Sequence, residues 1–547
     1  MNKATWALLA AVTLATAACS SSNHAGSSAS TGTIHPSGAA APRARCTPPA
    51  DPLVKATRVP GSTSDYDLVS FDGTRIRMHW LPLASASRVP APTVLKGPGW
   101  GSPGDTNTSG DGYGLFGDLS IPTLQTAGYN VLTWDPRGFG KSGGRVEIDS
   151  PGYEGRDMQR IIDWVAHQPG VQLDAPNDPR MGMVGASYGG GIQLVAAAVD
   201  CRVDALVPQI AWHSLGTSLY EASTVKQGWG DLLYSVAGHA SLDPHITSAH
   251  IVGDATGALS PTDQQWFLDR GPGDLVNRIT APTLFEQGTI DTLFPLDEAV
   301  ANFDILRSKG VPTAMLWMCS GHGACLTPPG DVNLPGRAAI NWLARYVKGE
   351  TNEPPQPLFE YVDQTGTTYR AGSFPPAVGS PIQAVGSGTL TFVAGGGSGP
   401  AHATGNVGAV GGVALAITPA KAAHAVNVPF VVPRTAPLVG APQLRLTYSG
   451  SAPAGVRPTR IFAQLVDDST GIVMGNQITP IAVTLDGRSH TIAVPLEMVA
   501  FTAKPNAHLT LQLVATTTAY GQPRLGGSVT FSSIQLELPA VTDVSRS

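Results

Sequence analysis

The stretch "GMVGASYGGG", residues 182–191, sets one serine, Ser187, among five glycines directly after an apolar run. A free hydroxyl is a poor nucleophile and gains reactivity from an adjacent base that a third group orients. Glycines around it permit a sharp turn at an entropic cost, so a cluster of this kind needs a reason. A flexible loop is one reading; a strand-to-helix elbow of the G-x-S-x-G type, which holds the hydroxyl on a strained turn, is the other. Two residues further along have the types that the second reading requires. Asp291 follows "TLFEQGTI", and His322 sits in "CSGHGAC". An imidazole can take the serine proton, and a carboxylate can fix its tautomer and stabilise the imidazolium. Glu286 is the alternative acid, but it lies inside an apolar run whose side chains point into a core. Among thirteen histidines, His213, His239, His245 and His250 have no comparable placement and read as structural.

These residues need strands to present them. "YDLVSFDGTRIRMHWLPL" reads as a hairpin turning at Asp72-Gly73. "PTVLKGPGW" is a strand and loop, and residues 115–126 are expected to be helical. "YNVLTWDPRG" is a strand. "YEGRDMQRIIDWVAHQ" is a helix with Met158, Ile161, Ile162 and Val165 on one face. "RMGMVGAS", "VDALVPQIA", "APTLFEQGTID" and "TAMLWMCSGHG" are strands, "YGGGIQLVAAAVD" is a helix, and a last helix runs from "GRAAINWLARYVKG" to Gly349. Strands alternating with helices predict an α/β fold with a mainly parallel sheet covered on both faces. Ser187, Asp291 and His322 each follow a strand of their own, in the chain order of α/β-hydrolases. An insertion over about 214–278 is expected to form a helical cap. From "NEPPQP" the texture changes to period-two alternation rich in Val, Thr and Gly, which predicts an all-β jelly-roll domain over 351–547, after a catalytic domain over 51–350.

Three segments carry a resemblance to a known family: "DPRGFGKSGG" (135–144), "YEGRDMQRIIDWVAHQP" (153–169) and "MVGASYGG" (183–190), followed by "GTID" and the β-rich tail. Together they resemble the X-prolyl dipeptidyl-peptidase and cocaine-esterase family of serine hydrolases, over roughly residues 65–545. The resemblance implies an α/β-hydrolase core, a helical cap and a C-terminal jelly roll of the galactose-binding-like kind that is not catalytic. It maps the catalytic serine, acid and base onto Ser187, Asp291 and His322. Members often use a tyrosine hydroxyl after the third core strand as one oxyanion donor. Here "KGPGWGSPGD" has Trp100 and no tyrosine. The expected donors are therefore the Tyr188 backbone N–H and a backbone N–H of Trp100 or Gly101, with the indole a weaker choice.

The remaining features bound the answer. A chain of 547 residues predicts two or three domains, and a formal charge of −6 with only 14% charged residues gives no support to nucleic-acid binding. The GKS of "DPRGFGKSGG" is not a phosphate loop, because Asp135 stands where that motif needs glycine. No metal-ligand spacing and no cofactor motif is found. Residues 1–19 read as an export signal, and Cys19 after Ala17-Ala18 resembles a lipidated cysteine, followed by a Ser/Ala/Pro-rich tether over 20–50. Cleavage after Ala15-Thr16-Ala17 would instead release a secreted protein. The expected membrane contact is the lipid anchor alone. Cys46, Cys201, Cys319 and Cys325 then remain as two disulfides or as buried thiols. Cys319 and Cys325 bracket His322 at three residues on either side, which favours their pairing and leaves Cys46 for Cys201. The expected partner is a small ester or peptide substrate. Choosing between peptidase and esterase needs the placement of acidic groups for a free amino terminus, for which Glu221, Asp231 and Asp243 are available. A non-catalytic, carbohydrate-binding lipoprotein is the alternative from another class, and the oligomeric state is open.

Overall fold

The computed structural model describes residues 54–110, 112–395, 397–398, 420–455, 459–521 and 524–547. The export signal, Cys19, the tether and Cys46 lie outside the described residues.

A twelve-stranded sheet organises the first part of the chain. Its heart is parallel, in the spatial order Asn130–Trp134, Thr93–Lys96, Met181–Ala186, Ala205–Gln209, Thr283–Gly288, Thr313–Met318 and Phe359–Val362. Neighbouring residues on each strand alternate between two buried cores. Leu95, Leu132, Met183, Leu206, Phe285 and Met315 enter one. Val94, Val131, Val184, Val207, Leu284 and Leu316 enter the other. Helices seal both faces, which is why these strands read as continuous apolar runs. Glu154–Ala166 and Tyr188–Val199 pack on the first core, and Leu334–Val347 packs on the second through Ala338, Trp342 and Leu343. The hairpin Asp65–Val69/Arg75–Leu81 extends the sheet antiparallel beyond Asn130–Trp134, with Gly73 at φ +83° in its turn.

Two expectations change. Residues 115–126 are not one helix but a 3₁₀ turn, Leu115–Gly117, and a short helix, Ile121–Thr126. Gly117 at φ +79° breaks the first, and Ser120 caps the second by accepting the Thr123 N–H. The texture change near residue 352 does not mark the end of the α/β sheet. Phe359–Val362, Thr368–Ala371 and the late strand Val544–Arg546 all belong to it. Period-two alternation reports a strand, not the sheet it joins, so this membership was not visible in the pattern.

The β-rich region is a sandwich of two antiparallel sheets. One orders Ile382–Thr391, Ser528–Leu538, Gln443–Ser451 and His490–Pro495; the other is built on Val426–Val432, Ala507–Val514 and Arg460–Asp467. Leu444, Leu446, Ile534 and Leu536 from the first meet Val428, Ile461, Leu509 and Leu511 from the second in one core. The insertion is helical: Leu215–Ser218, Gln227–Ala237, Pro244–Thr256 and Pro261–Leu268. Asp243-Pro244 and Ser260-Pro261 are start signals, with the side-chain oxygen accepting a backbone N–H and proline at the first helical position. None of the helices among the described residues is long and apolar enough to cross a membrane.

The motif "DPRGFGKSGG" ties the hairpin, the strand Asn130–Trp134 and the helix Glu154–Ala166 together. Asp135 accepts the N–H groups of Gly104 (2.8 Å) and Lys141 (2.6 Å). Buried Arg137 reaches Asp157 of "YEGRD" through two hydrogen bonds, at 2.9 and 2.7 Å, and Asp72 at 2.7 Å. Burial pushes the Asp157 carboxyl upward even against that guanidinium, so each partner depends on the other.

Candidate active site

Ser187 sits between the strand Met181–Ala186 and the helix Tyr188–Val199, at φ 57° and ψ −117°. This is a strained conformation for a residue with a Cβ, and it persists only where the surroundings over-determine it. The Ser187 N–H donates to Gln209 O at 2.9 Å, and its carbonyl accepts from Gly190 and Gly191. A Cβ on Gly189 would lie 2.3 Å from Gly97 O, so strand loop and helix approach closer than any other residue type allows.

The structure brings Ser187, His322 and Asp291 together. His322 Nε2 is 2.8 Å from Ser187 Oγ, and His322 Nδ1 is 2.7 Å from Asp291 Oδ2. Asp291 is fully buried, and its Oδ1 accepts the N–H groups of Leu293 (3.0 Å) and Phe294 (2.8 Å). Phe294 and Trp229 stand edge-on to the imidazole, with ring centroids 5.2 and 5.7 Å away. A disulfide joins Cys319 to Cys325 across the histidine loop. Cys201 is also disulfide-bonded, while its expected partner Cys46 falls outside the described residues.

Glu286, the alternative acid, points elsewhere. Its Oε2 accepts from Gln209 Nε2 at 2.6 Å, and full burial pushes its carboxyl well above the usual range. The Trp100 indole N–H donates to Leu233 O at 2.8 Å, which removes it from the oxyanion donors. That leaves backbone groups of Trp100 and Gly101, together with the Tyr188 N–H at the first turn of the elbow helix, where no intrahelical acceptor exists.

A cavity of about 110 Å³ opens beside Ser187 under the cap, lined by Trp100, Tyr188, Trp212 and side chains from the cap helices. The acidic candidates separate. Asp243 caps its helix and pairs with Arg145 at 2.9 Å. Glu221 is half-buried against the sandwich, accepts from Tyr520 Oη at 2.9 Å, and is pushed up to about 7, chiefly by desolvation. Asp231 joins His250 and Asp254 in a group whose ligand atoms lie within 4.8 Å of one another. Burial and the neighbouring Asp254 push Asp231 up to about 6. His250 stacks on Tyr234 at 4.1 Å and, with Asp254, lines the cavity. The i, i+4 spacing of His250 and Asp254 is the only part of this cluster visible in the sequence.

A second feature that the sequence did not reveal is the reach of the sandwich into this site. Gln477 Nε2 donates to Asp291 O, Asn476 Nδ2 donates to Ala324 O at 3.1 Å, and Gln364 Oε1 accepts the Gly475 N–H at 2.9 Å. The turn 474–477 thus braces both the acid loop and the histidine loop.

A mainly parallel sheet covered on both faces, with a serine elbow and a helical cap, defines the α/β-hydrolase fold. Residues 72–323 match the X-Pro dipeptidyl-peptidase (S15 family) model. In fold it is similar to a CocE/NonD family hydrolase from Staphylococcus aureus (13% identity, 87% of this chain and 93% of that one, TM-score 0.62). It is equally similar to an aminopeptidase from the marine sediment archaeon Thaumarchaeota archaeon (13%, 93% and 100%, TM-score 0.63). Among curated proteins it is 30% identical over 146 residues to the polyketide transferase grgF of Penicillium sp, covering 26% of this chain and 43% of that protein. It is 26% identical over 215 residues to dipeptidyl-peptidase 5 of Porphyromonas gingivalis, covering 39% and 27%. The chain therefore spans less than half the length of these curated relatives.

Glu286 and Asp291 make opposite predictions. Burial raises the Glu286 carboxyl in the fold above its unfolded value, so its contribution is complete below the ordinary glutamate value and is lost as pH rises. The slope is about 1.4 kcal/mol per pH unit while only the unfolded form is ionised. Glu286→Gln should melt progressively higher than the parent between about pH 5 and pH 8, and its turnover should stay within a few-fold. Asp291→Asn should lose turnover by orders of magnitude. A larger loss in Glu286→Gln than in Asp291→Asn would move the acid.

Cutting the Cys319–Cys325 tether with Cys325→Ser should lower kcat by about ten- to a hundredfold, since a small misplacement of the imidazole is costly. The melting temperature should shift by only a few degrees, because so short a loop restrains the unfolded chain weakly. Unchanged kcat would show that the glycine-rich loop holds its histidine without the bond.

Proposed function

We propose that this chain is an exported serine hydrolase that cleaves an ester or amide bond through an acyl-enzyme. The observation that carries the reading is the unbroken hydrogen-bonded line from Asp291 through His322 to Ser187, at 2.7 and 2.8 Å. Ser187 Oγ attacks the substrate carbonyl while His322 Nε2 takes its proton. The Tyr188 N–H and the Trp100–Gly101 backbone hold the oxyanion. His322 then protonates the leaving alcohol or amine, which departs as the tetrahedral intermediate collapses to the acyl-serine. Water attacks in turn, His322 takes its proton, and the acid is released with Ser187 restored. Asp291 holds the imidazole in register.

The family supports an X-Pro dipeptidyl-peptidase type of hydrolase; the esterase reading rests on the apolar cavity. Neither Glu221 nor Asp243 lines that cavity, so neither is placed to receive a substrate amino group there.

Ser187→Ala should lose fluorophosphonate labelling and drop turnover of p-nitrophenyl acetate and Gly-Pro-p-nitroanilide by roughly 10⁴-fold or more, with an unchanged circular dichroism spectrum. A parent protein that takes no label would favour the binding-protein alternative. The two substrates separate esterase from peptidase.

The proposed location rests on the composition of residues 1–19. Labelled palmitate should enter the protein in cells and be lost on Cys19→Ser. A soluble product in the medium that begins at Ala18 would replace the anchor with plain secretion.

A further inference from the structure

We infer that the cavity beside Ser187 is an acyl pocket for medium-length aliphatic chains, and that Gly230 sets the chain length it accepts. The inference rests on the serine-hydrolase reading and names its substrate class. The cavity wall is supplied mainly by Leu215, Leu219, Leu233, Ile246, Leu259 and Phe267. Carbon chains are recognised by such surfaces because nothing in them demands a hydrogen bond.

Three charged or polar groups in the wall have partners of their own. Lys226 is buried, and its Nζ donates to Leu293 O at 3.2 Å and lies over the Tyr520 ring. His250 and Asp254 belong to the cluster with Asp231. A charged or strongly polar acyl group would therefore meet no free partner among these three.

The helix Gln227–Ala237 and its N-cap Lys226 turn one face to the cavity, formed by Lys226, Gln227, Gly230, Leu233 and Tyr234. These positions recur at helical spacing. Gly230 is at the middle of that face, where a side chain would project into the cavity. A Cβ placed there meets nothing within 4 Å. Elsewhere in the site, glycines sit where a Cβ would collide with backbone, as at Gly189. Gly230 has no such reason to be glycine, and a helix interior prefers almost any other residue. Its absent side chain leaves room that a chain on the acyl-serine can use.

The test compares p-nitrophenyl acetate and octanoate, which share one leaving group. Each methylene buried in such a pocket is worth up to about fourfold in binding. The parent should favour octanoate over acetate in kcat/KM by about tenfold or more. Gly230→Leu fills the space, so that preference ratio should fall at least about tenfold, with Gly230→Ala between the two. A parent ratio near or below one, or a ratio that Gly230→Leu leaves in place, would overturn the inference while the nucleophile reading stands. Calorimetric titration with octanoate keeps the two readings apart. Octanoate should bind Ser187→Ala and bind the Ser187→Ala/Gly230→Leu double variant at least about tenfold more weakly. If no ester is hydrolysed and no fluorophosphonate is taken up, the catalytic reading fails, and a Gly230-dependent octanoate affinity would still uphold the pocket. Absence of octanoate binding to Ser187→Ala would remove the pocket itself.

Discussion

Everything in this molecule that bears on chemistry is referred to the backbone turn at Ser187. A non-glycine residue at φ 57° costs of order 1–3 kcal/mol, and the turn is held there from both sides. The strand before it alternates Met183 and Val184 into opposite cores, so it cannot rotate without emptying both. The helix after it is seated by Gly189 against the Gly97 carbonyl. The strain is local, and the packing that offsets it is spread over the whole sheet. Such an arrangement fixes one hydroxyl in space and leaves little freedom for the residues that must meet it.

The partners of Ser187 are fixed by different means. Asp291 is held by backbone donors from its own turn and by Gln477 from the sandwich. His322 stands on a loop with glycines at 321 and 323, which offer no rigidity of their own. Its rigidity comes from the Cys319–Cys325 bond, from Phe294 and Trp229 against the ring, and from Asn476 on the neighbouring carbonyl. The β-rich region thus braces the loops that carry Asp291 and His322. It also reaches the cap. Arg460 Nε donates to Ala222 O at 2.7 Å and to Thr224 Oγ1 at 2.9 Å, and Tyr520 bonds Glu221. Cap, catalytic loops and sandwich therefore share one set of contacts.

The placement of Ser187, Asp291 and His322 is legible because each follows an apolar strand, a relation carried within a few positions of sequence. Ser187, Asp291 and His322 could be picked out on that ground, and Glu286 set lower because a residue inside a buried strand faces packing. What could not be read depends on contacts between distant segments. Gln477 lies 186 residues from Asp291, and nothing in its own neighbourhood marks it. The strand Phe359–Val362 looks like its β-rich successors, yet pairs parallel with Thr313–Met318. Only the fold brings Asp231 from another helix to meet His250. The Trp100 indole was a possible donor until the cap helix placed Leu233 O in its path.

Two glycines show how differently the two halves of the site are built. At Gly189 the hydrogen in place of a side chain is a condition of the fold, since a Cβ would fall well inside van der Waals contact distance of a backbone oxygen. At Gly230 the same hydrogen borders open space on a cap helix. Dense packing makes the first position intolerant of even one methyl group. Chemistry that needs sub-ångström placement belongs on such positions. Selection among substrates is better placed where volume can change without disturbing the nucleophile. The cap supplies that, because its helices meet the cavity through side chains while the sheet beneath carries the serine. A change in the cap wall can therefore alter what is bound and leave the elbow, the acid loop and the histidine loop where they are.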